Sequence, residues 1–514
     1  MNYDVLIIGS GGAGLSAALQ AKEMGACVLV VSEGFPTRSQ TCMAQGGINA
    51  ALGHMGEDSV RTHIEDTMKS AKGLGSSIMI EKMCTKAPDT LTWLNSIGVP
   101  FSRTDEGKIA QRQMGGARAK RACYSQDYTG LKILHTLYDQ CLKEGITFVN
   151  EHFLLSLSSE GASFLDIKTT QTIMIKAKSI VMATGGYSAL YHGFTTNASQ
   201  STGDGIAVAM QAGAEISNME FVQFHPTGLK KSGVLISESA RGAGGHLVND
   251  NGERFIDELL ARDEVSRAIH MQIEEGREVF LDIRHLGEAF IDEQIPQERK
   301  LSMMYEGVDP VHEMMPIAPV AHYSMGGIAV DENLMSSIEG LFAVGECSNA
   351  RVHGANRLGG NSLLEIVSLG RMAGENAVKF TKNGIIMIEK TQDDKALLQG
   401  LFTKDAKEDV YESRRFLGEV FYKHVGIVRE EKGLKKAQES LAQMQKEQRG
   451  IMDKSQTYNT NLIELLKFEN TLVLAEVIVQ SALARQESRG AHFRADFPDV
   501  NTDFECDTIV GELS

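Results

Sequence analysis

The 514-residue chain predicts an α/β fold: a Rossmann-like dinucleotide-binding domain, interrupted by an α+β capping insertion and followed by a C-terminal helical region. Three observations carry this expectation. An apolar run enters a glycine loop at the very start. The same pairing of apolar run and small residues returns at Ser179–Gly186 and Gly340–Glu346, far apart in sequence. Beyond residue 395 the chain is rich in helix formers with charged faces.

Tyr3–Ile8 is continuously apolar, as a strand buried on both faces requires. It runs into Gly9-Ser10-Gly11-Gly12-Ala13-Gly14, after which Leu15–Lys22 reads as a helix and Cys27–Ser32 as a second strand ending at Glu33. Gly9 permits the turn, Gly11 lets backbone approach a pyrophosphate, and Gly14 allows the helix to pack closely on the strand. The helix N-terminus adds unpaired N–H groups and a positive dipole end. Glu33 is placed to accept from an adenosine ribose. This motif does not separate NAD from FAD. The later strand ends, with Thr184, Gly185 and Glu346, favour FAD, because they point at the same crevice from distant sequence. A domain so continued implies an insertion.

The expected units are residues 1–217 and 326–380 for the FAD domain, 218–325 for the cap, 395–490 for the helical region and 491–514 for a short tail. Within the helical region, Val410–His424 and Leu434–Arg449 read as helices, with Gly433 at the break between them. Thr471–Ala484 shows helical spacing. His225 precedes a proline, which predicts a loop or turn there. Asp263 reads as the N-cap of a helix through Glu275, with Arg262 on the loop entering it.

Composition is that of a soluble globular protein, 42% hydrophobic and 23% charged. The net charge of −16 disfavours non-specific nucleic-acid binding. A local basic stretch, Arg112, Arg118, Lys120 and Arg121, reads as a solvated face. The seven cysteines include no Cys-x-x-Cys pair, so neither an iron–sulfur cradle nor a disulfide framework is expected, and any iron–sulfur relay belongs to another chain. No segment has the apolar length to span a bilayer, and the first strand begins too early for a signal peptide. A cytoplasmic protein, or one peripheral on the cytoplasmic face of the inner membrane, is expected.

Arg38-Ser-Gln-Thr41, Ala44-Gln-Gly-Gly47, Phe224-His-Pro-Thr-Gly228, Glu238-Ser-Ala-Arg-Gly242, Ala261-Arg-Asp263, His322-Tyr-Ser-Met-Gly-Gly327, His353-Gly-Ala-Asn-Arg-Leu-Gly359 and Glu487-Ser-Arg-Gly-Ala-His492 together resemble the flavoprotein subunit of fumarate reductase and succinate dehydrogenase. The likeness covers nearly the whole chain. L-aspartate oxidase shares most of these motifs and is the second reading; a non-enzymatic flavin-bearing electron-transfer subunit is the third. Arg121–Gly130 with Leu134–Tyr138, and Gly359–Ser362, lean toward the respiratory branch, since aspartate oxidases usually carry a histidine where Tyr124 stands. Respiratory members commonly continue further beyond the Ser-Arg-Gly-Ala-His motif than this chain does, which bears on contacts with an iron–sulfur partner.

The resemblance implies that FAD contacts Gly9, Gly11, Gly12, Ala13, Gly14, Glu33, Ser39, Gln40, Thr41, Gln45, Gly46, Gly47, Thr184, Gly185, Asp204, Glu346, Asn361, Ser362 and Leu363. Members that tether FAD covalently use a histidine where Gln40 stands, so a non-covalent flavin is expected, favouring fumarate reduction. A C4 dicarboxylate would be held by His225, Ser237, His322 and Arg357. Arg262 would protonate fumarate as hydride arrives from flavin N5, with Glu238 and Arg241 replacing the proton. From residue chemistry alone, Arg357 is equally a structural ion pair, and Ser237-Glu238 an exposed turn. An iron–sulfur subunit, and a membrane anchor, are the implied partners; no metal site is expected in this chain.

Overall fold

The computed structural model describes residues 2–382, 384–388, 393–404, 409–447 and 449–510. The last four residues of the expected tail, and residues 405–408 and 448 of the helical region, lie outside the described residues.

The N-terminal strand Asn2–Ile8 is the middle of a seven-stranded sheet. Val28–Ser32 pairs with it in parallel on one side and Gln171–Met182 on the other. Thr147–Asn150 extends the parallel set beyond Val28–Ser32, and Leu341–Ala343 joins the far end of Gln171–Met182. That long strand changes character along its length. Its first half pairs antiparallel with Gly161–Asp166 and is largely open to solvent; Ser179–Met182, walled by two parallel neighbours, is wholly buried. Carboxyl ends of strands from residues 8, 32, 182 and 343 thus converge on one edge, the geometry in which an open α/β sheet makes its crevice.

Helix Gly12–Glu23 packs against the first strand and against helix Asn361–Phe380. A Cβ at Gly14 would stand 2.0 Å from the Gly9 carbonyl oxygen, and one at Gly9, where φ is +111°, would stand 2.1 Å from that of Ala183. Neither position accepts a side chain.

A second, four-stranded antiparallel sheet orders Val222–Leu229, Met315–Ser324, Val279–Asp282 and His246–Asn249. Helices Arg262–Glu274, Glu288–Gln294 and Pro296–Tyr305 belong to the same unit, whose core is built on Ile236, Leu247, Val265, Ile269 and Leu281. It lies over the crevice as a cap. The helical region follows as Asp394–Thr403, Val410–His424, Glu431–Lys446 and Thr460–Ala484.

Four local expectations are corrected. Gly433 does not break the helices: it lies buried in the first turn of Glu431–Lys446, and the break is the stretch from Val425 to Glu430. A Cβ at 433 would come within 3.3 Å of His424 Nδ1, so the glycine serves packing. Asp263 is not the N-cap; Ala261 is, and Arg262 is the first helical residue. Asp263 instead receives Asn356 Nδ2 at 3.0 Å. His225 lies in a strand, not a loop, and the adjoining proline is absorbed by a bulge between His225 and Gly228. The basic stretch is a solvated face only at Arg118 and Lys120, which are exposed: Arg121 is fully buried against Asp58 and Asp66, and Arg112 covers the Tyr124 ring at 4.4 Å.

Candidate active site

A cavity of about 400 Å³ opens at the converging strand ends. Of the residues expected to meet the cofactor, Gly9, Gly11, Gly12, Ala13, Glu33, Ser39, Gln40, Thr41, Thr184, Gly185, Glu346, Ser362 and Leu363 line it. Gly12 N–H donates to Thr41 Oγ1 at 3.0 Å, tying the glycine loop to the 39–41 segment. Ser39 Oγ and Thr184 Oγ1 are buried with no hydrogen-bond partner, the state expected of hydroxyls that await a ligand. Gln40 Oε1 accepts the Ala198 N–H at 2.9 Å, which turns its amide nitrogen to the other side. Glu346 accepts the Ser324 N–H at 3.0 Å and its hydroxyl at 3.1 Å. Burial pushes its carboxyl up to about 7.

The other expected cofactor contacts stand elsewhere. Gly14 lies behind the loop, where it permits the close approach to Gly9. Gln45, Gly46 and Gly47 line a smaller neighbouring cavity. Asn361 is fully buried in a net with Asn49 at 2.7 Å, His63 at 3.0 Å and Thr67 at 3.0 Å, outside both cavities. Asp204 heads helix Asp204–Gln211 and bonds Thr202 at 2.5 Å and Asn470 at 2.8 Å, also outside the lining.

The smaller cavity, about 60 Å³, lies at the meeting of cap and sheet domain. It brings together His225, Ser237, Glu238, Arg262, His322 and Arg357, residues spread over 133 positions of sequence (from 225 to 357). It shares Ala44, Leu235, His322, Ser362 and Leu363 with the larger cavity, so the two are continuous. Arg241 stands behind Glu238, fully buried, its Nη1 donating to the Glu258 carbonyl at 2.5 Å and its Nε and Nη2 without partners.

Ser237 is the N-cap of the short helix Glu238–Gly242, and its Oγ accepts the Ser239 N–H at 3.2 Å. The cap therefore presents Ser237 and Glu238 side by side. Arg262 grips one Glu238 oxygen through Nε at 2.9 Å and Nη2 at 2.6 Å and reaches Gln223 Oε1 at 3.2 Å. Burial alone would raise the Glu238 carboxyl, but Arg262 and Arg241 overcome it and hold the pKa below its usual value. Burial pulls Arg241 down from the usual guanidinium range and Arg357 to about 9. Arg357 stays charged at neutral pH. It lies 4.5 Å above the Tyr323 ring, donates to Ser362 Oγ at 3.2 Å, and leaves Nε unpartnered.

The two imidazoles stand 4.9 Å apart, centroid to centroid. His225 Nδ1 accepts the Thr227 N–H at 3.3 Å and His322 Nδ1 meets Thr196 Oγ1 at 2.7 Å. In each ring Nε2 is thereby left to the cavity. Burial, then the neighbouring arginines, push both well below the usual histidine range, so both are neutral. Among the described residues no group of three or more His, Cys, Asp or Glu is arranged to hold a metal, and no helix is long and apolar enough to cross a membrane.

Two residues at these cavities escape a reading of the sequence. Lys467, buried on helix Thr460–Ala484, forms an ion pair with Glu33 at the rim of the large cavity. A lone lysine in the apolar run Leu465-Leu-Lys-Phe468 is the signal that it must meet a buried acid. Gln223 bonds Asn356 at 2.8 Å and the Arg357 carbonyl at 2.9 Å while accepting from Arg262, and so joins the arginines of the two domains. Nothing in its local sequence marks it.

Comparison with known proteins agrees with this geometry. Residues 4–363 match the family described as FAD binding domain, and 414–511 the one described as fumarate reductase flavoprotein C-term. The succinate dehydrogenase flavoprotein subunit of Rickettsia bellii is 40% identical, over 97% of this chain and 91% of that protein. The 8-methylmenaquinol:fumarate reductase flavoprotein subunit of Wolinella succinogenes is 39% identical, over 96% and 86%. A solved quinol–fumarate reductase with menaquinol molecules superposes with a TM-score of 0.94 at 35% identity, covering 99% of this chain and 95% of that one.

Proposed function

Because the chain belongs to the fumarate reductase and succinate dehydrogenase flavoprotein family, an FAD-dependent oxidoreductase family, we propose that it interconverts fumarate and succinate in the small cavity beside the flavin, as the catalytic subunit of a larger complex. One observation carries the reading. Two guanidinium groups, Arg262 and Arg357, line the cavity against a single carboxylate, Glu238, with both histidines neutral and a third guanidinium, Arg241, buried behind Glu238. The lining is left with a net positive charge, reinforced by Arg241 behind it, and a C4 dicarboxylate brings the negative charge that answers it. The L-aspartate oxidase reading, whose substrate also carries an ammonium, is not favoured by the relatives.

The large cavity fits FAD: the Ser39 and Thr184 hydroxyls in it lack partners, Gly9 and Gly14 of its loop tolerate no side chain, and a helix N-terminus faces it. The cofactor supplies hydride exchange when bound. The protein's own residues do the rest. Arg357 takes one carboxylate, and His225, His322 and Ser237 donate hydrogen bonds, which orients the alkene and stabilises developing charge. Arg262 gives its proton to the carbon not receiving hydride. The proton is replaced through Glu238, which takes one from Arg241 behind it and passes it to Arg262, Arg241 being reprotonated in turn from water. Narrowness serves this chemistry, since about 60 Å³ leaves little room for bulk water.

Gln40 bears on the attachment. An amide forms no histidyl–flavin bond, and its oxygen is already held by Ala198, so FAD is bound non-covalently. Denaturing the holoprotein then releases all flavin; colour retained on the unfolded chain contradicts this. Without a tether the reduced flavin is the stronger donor, which favours fumarate reduction. Electrons come from an iron–sulfur partner subunit with a membrane anchor, and the chain works peripherally on the cytoplasmic face of the membrane; the relatives named as subunits support this.

The decisive assay supplies the FAD-loaded protein with a reduced viologen dye and fumarate. Stoichiometric succinate is expected. No turnover by fully loaded protein, or ready formation of iminoaspartate from aspartate, overturns the reading.

A further inference from the structure

The turn that presents Ser237 rests on an acid to which the reaction above gives no role. Glu298 lies in the first turn of helix Pro296–Tyr305 and is 0% exposed. Both its oxygens stand 3.2 Å from the Ser237 backbone N–H, which they accept, and the Ser239 hydroxyl hydrogen-bonds to the same carboxyl. Ser239 Oγ is in turn 2.7 Å from Ser237 Oγ. Three groups thus form a chain, Glu298–Ser239–Ser237, that ends at the small cavity.

The charged and titratable groups facing Glu298 come from two other elements. Asp127 and Tyr128 precede helix Thr129–Lys143, and Arg112 ends the strand Gln111–Arg112. Asp127 accepts the Gln297 N–H at 2.7 Å, which brings its charge against the Glu298 end of the helix. Arg112 spends its donors on the carbonyls of Gly46 at 2.8 Å, Gln45 at 3.0 Å and Gln126 at 2.9 Å rather than on the acid.

We propose that Glu298 is a positioning residue whose proton sets the direction of this hydroxyl chain and makes Ser237 a donor to the substrate carboxylate; this rests on the reading of Ser237 given above. A serine hydroxyl has one proton and two lone pairs. With Glu298 protonated, its O–H donates to Ser239 Oγ, Ser239 donates to Ser237 Oγ, and the Ser237 proton is free to point into the cavity. With Glu298 ionised, its proton lost to solvent, the carboxylate takes the Ser239 proton and Ser239 Oγ accepts that of Ser237. Ser237 then turns a lone pair toward the substrate carboxylate, acceptor against acceptor. No covalent bond changes. Burial first, and the Asp127 charge second, push the Glu298 carboxyl up to about 8. Its proton is therefore in place at neutral pH and is lost as pH rises through about 8.

The test measures KM for fumarate between pH 6.5 and 9.5 with the FAD-loaded enzyme. The natural chain should show KM rising about tenfold across pH 8, the loss expected for a hydrogen bond to a charged group, with kcat changing far less. Glu298→Gln, whose amide N–H₂ donates at every pH, should flatten that rise and keep the low KM; a separate rise nearer 9, where Arg357 titrates, should persist. Ser239→Ala breaks the chain without touching Glu298 and should give a KM indifferent to pH through 8. A rise at pH 8 that survives Glu298→Gln, or no rise in the natural chain, overturns the proposal. If Ser237→Ala leaves KM for fumarate unaltered, the substrate reading of Ser237 fails instead.

Discussion

The two cavities adjoin and share five residues, yet they are made of opposite materials. The larger is walled mostly by loop glycines, hydroxyls and apolar side chains at the sheet domain's strand ends, with Leu235, His322 and Tyr323 closing it from the cap and its charged groups, such as Glu33, Arg38 and Glu346, spread along its length. The smaller is a cluster of full charges drawn from two domains, with the guanidiniums of Arg262 and Arg357 against the one carboxylate of Glu238. A long dinucleotide is held by many weak, directional contacts spread along a rigid sheet edge. A small dianion offers few atoms, so the protein must meet it with charge. Burying that charge without a ligand is costly, and it is tolerated where the ligand restores neutrality.

Four perturbations break or sharpen this contrast. The largest is Arg262→Ala, which removes the proposed acid and leaves the large cavity alone: kcat for fumarate should fall about 10³-fold with flavin content unchanged by absorbance. Joint loss of flavin and activity would erase the distinction between the cavities. Next comes Lys467→Met, which leaves Glu33 partly buried and unpaired at the large cavity. We expect a loss of about 3 kcal/mol, read as a lower temperature of flavin release, with the double variant carrying Glu33→Gln recovering most of it. Substrate KM should hardly move. Arg357→Lys gives up the flat fork over Tyr323 and should raise KM for fumarate about tenfold through loss of bidentate binding, while kcat at saturation falls less.

The smallest effect is the one expected in acid. His225 and His322 are held neutral, well below the usual histidine value, so KM should show no inflection near pH 6.5. Stability should respond instead. In the unfolded chain these imidazoles protonate near 6.5, so lowering pH through that value favours unfolding. A KM inflection at 6.5 would mean that one of them binds substrate as a cation.

Much of the larger cavity was legible because its parts are consecutive. Strand, loop, helix and second strand occupy the first 33 residues, and Gly14 has a local steric reason in the Gly9 carbonyl, while Gly9 is also closed off by Ala183 on the neighbouring strand end. Helix Val410–His424 was legible in both bounds, since its capping aspartate and its spacing are local too. Lys467 was not, because its partner Glu33 lies 434 positions away. Gln223 and Glu298 are polar residues whose meaning comes only from which arginine or serine they meet across the cap. Asp263 misled for a related reason. It has the chemistry of an N-cap, but Asn356 from the other domain competes for its carboxylate, and the helix starts two residues earlier than that chemistry suggests. The motif residues of the small cavity were reached through resemblance, and their convergence is a property of the fold.

The central claim is that a net-positive cavity beside the flavin takes a C4 dicarboxylate. Titrating the oxidised holoprotein with succinate or fumarate while recording the flavin absorbance difference spectrum tests it directly. The account predicts a saturable shift of the flavin bands, competition between the two ligands, and loss of the shift in Arg357→Ala with flavin still bound. A flavin spectrum indifferent to both dicarboxylates, in protein carrying a full complement of FAD, would contradict it.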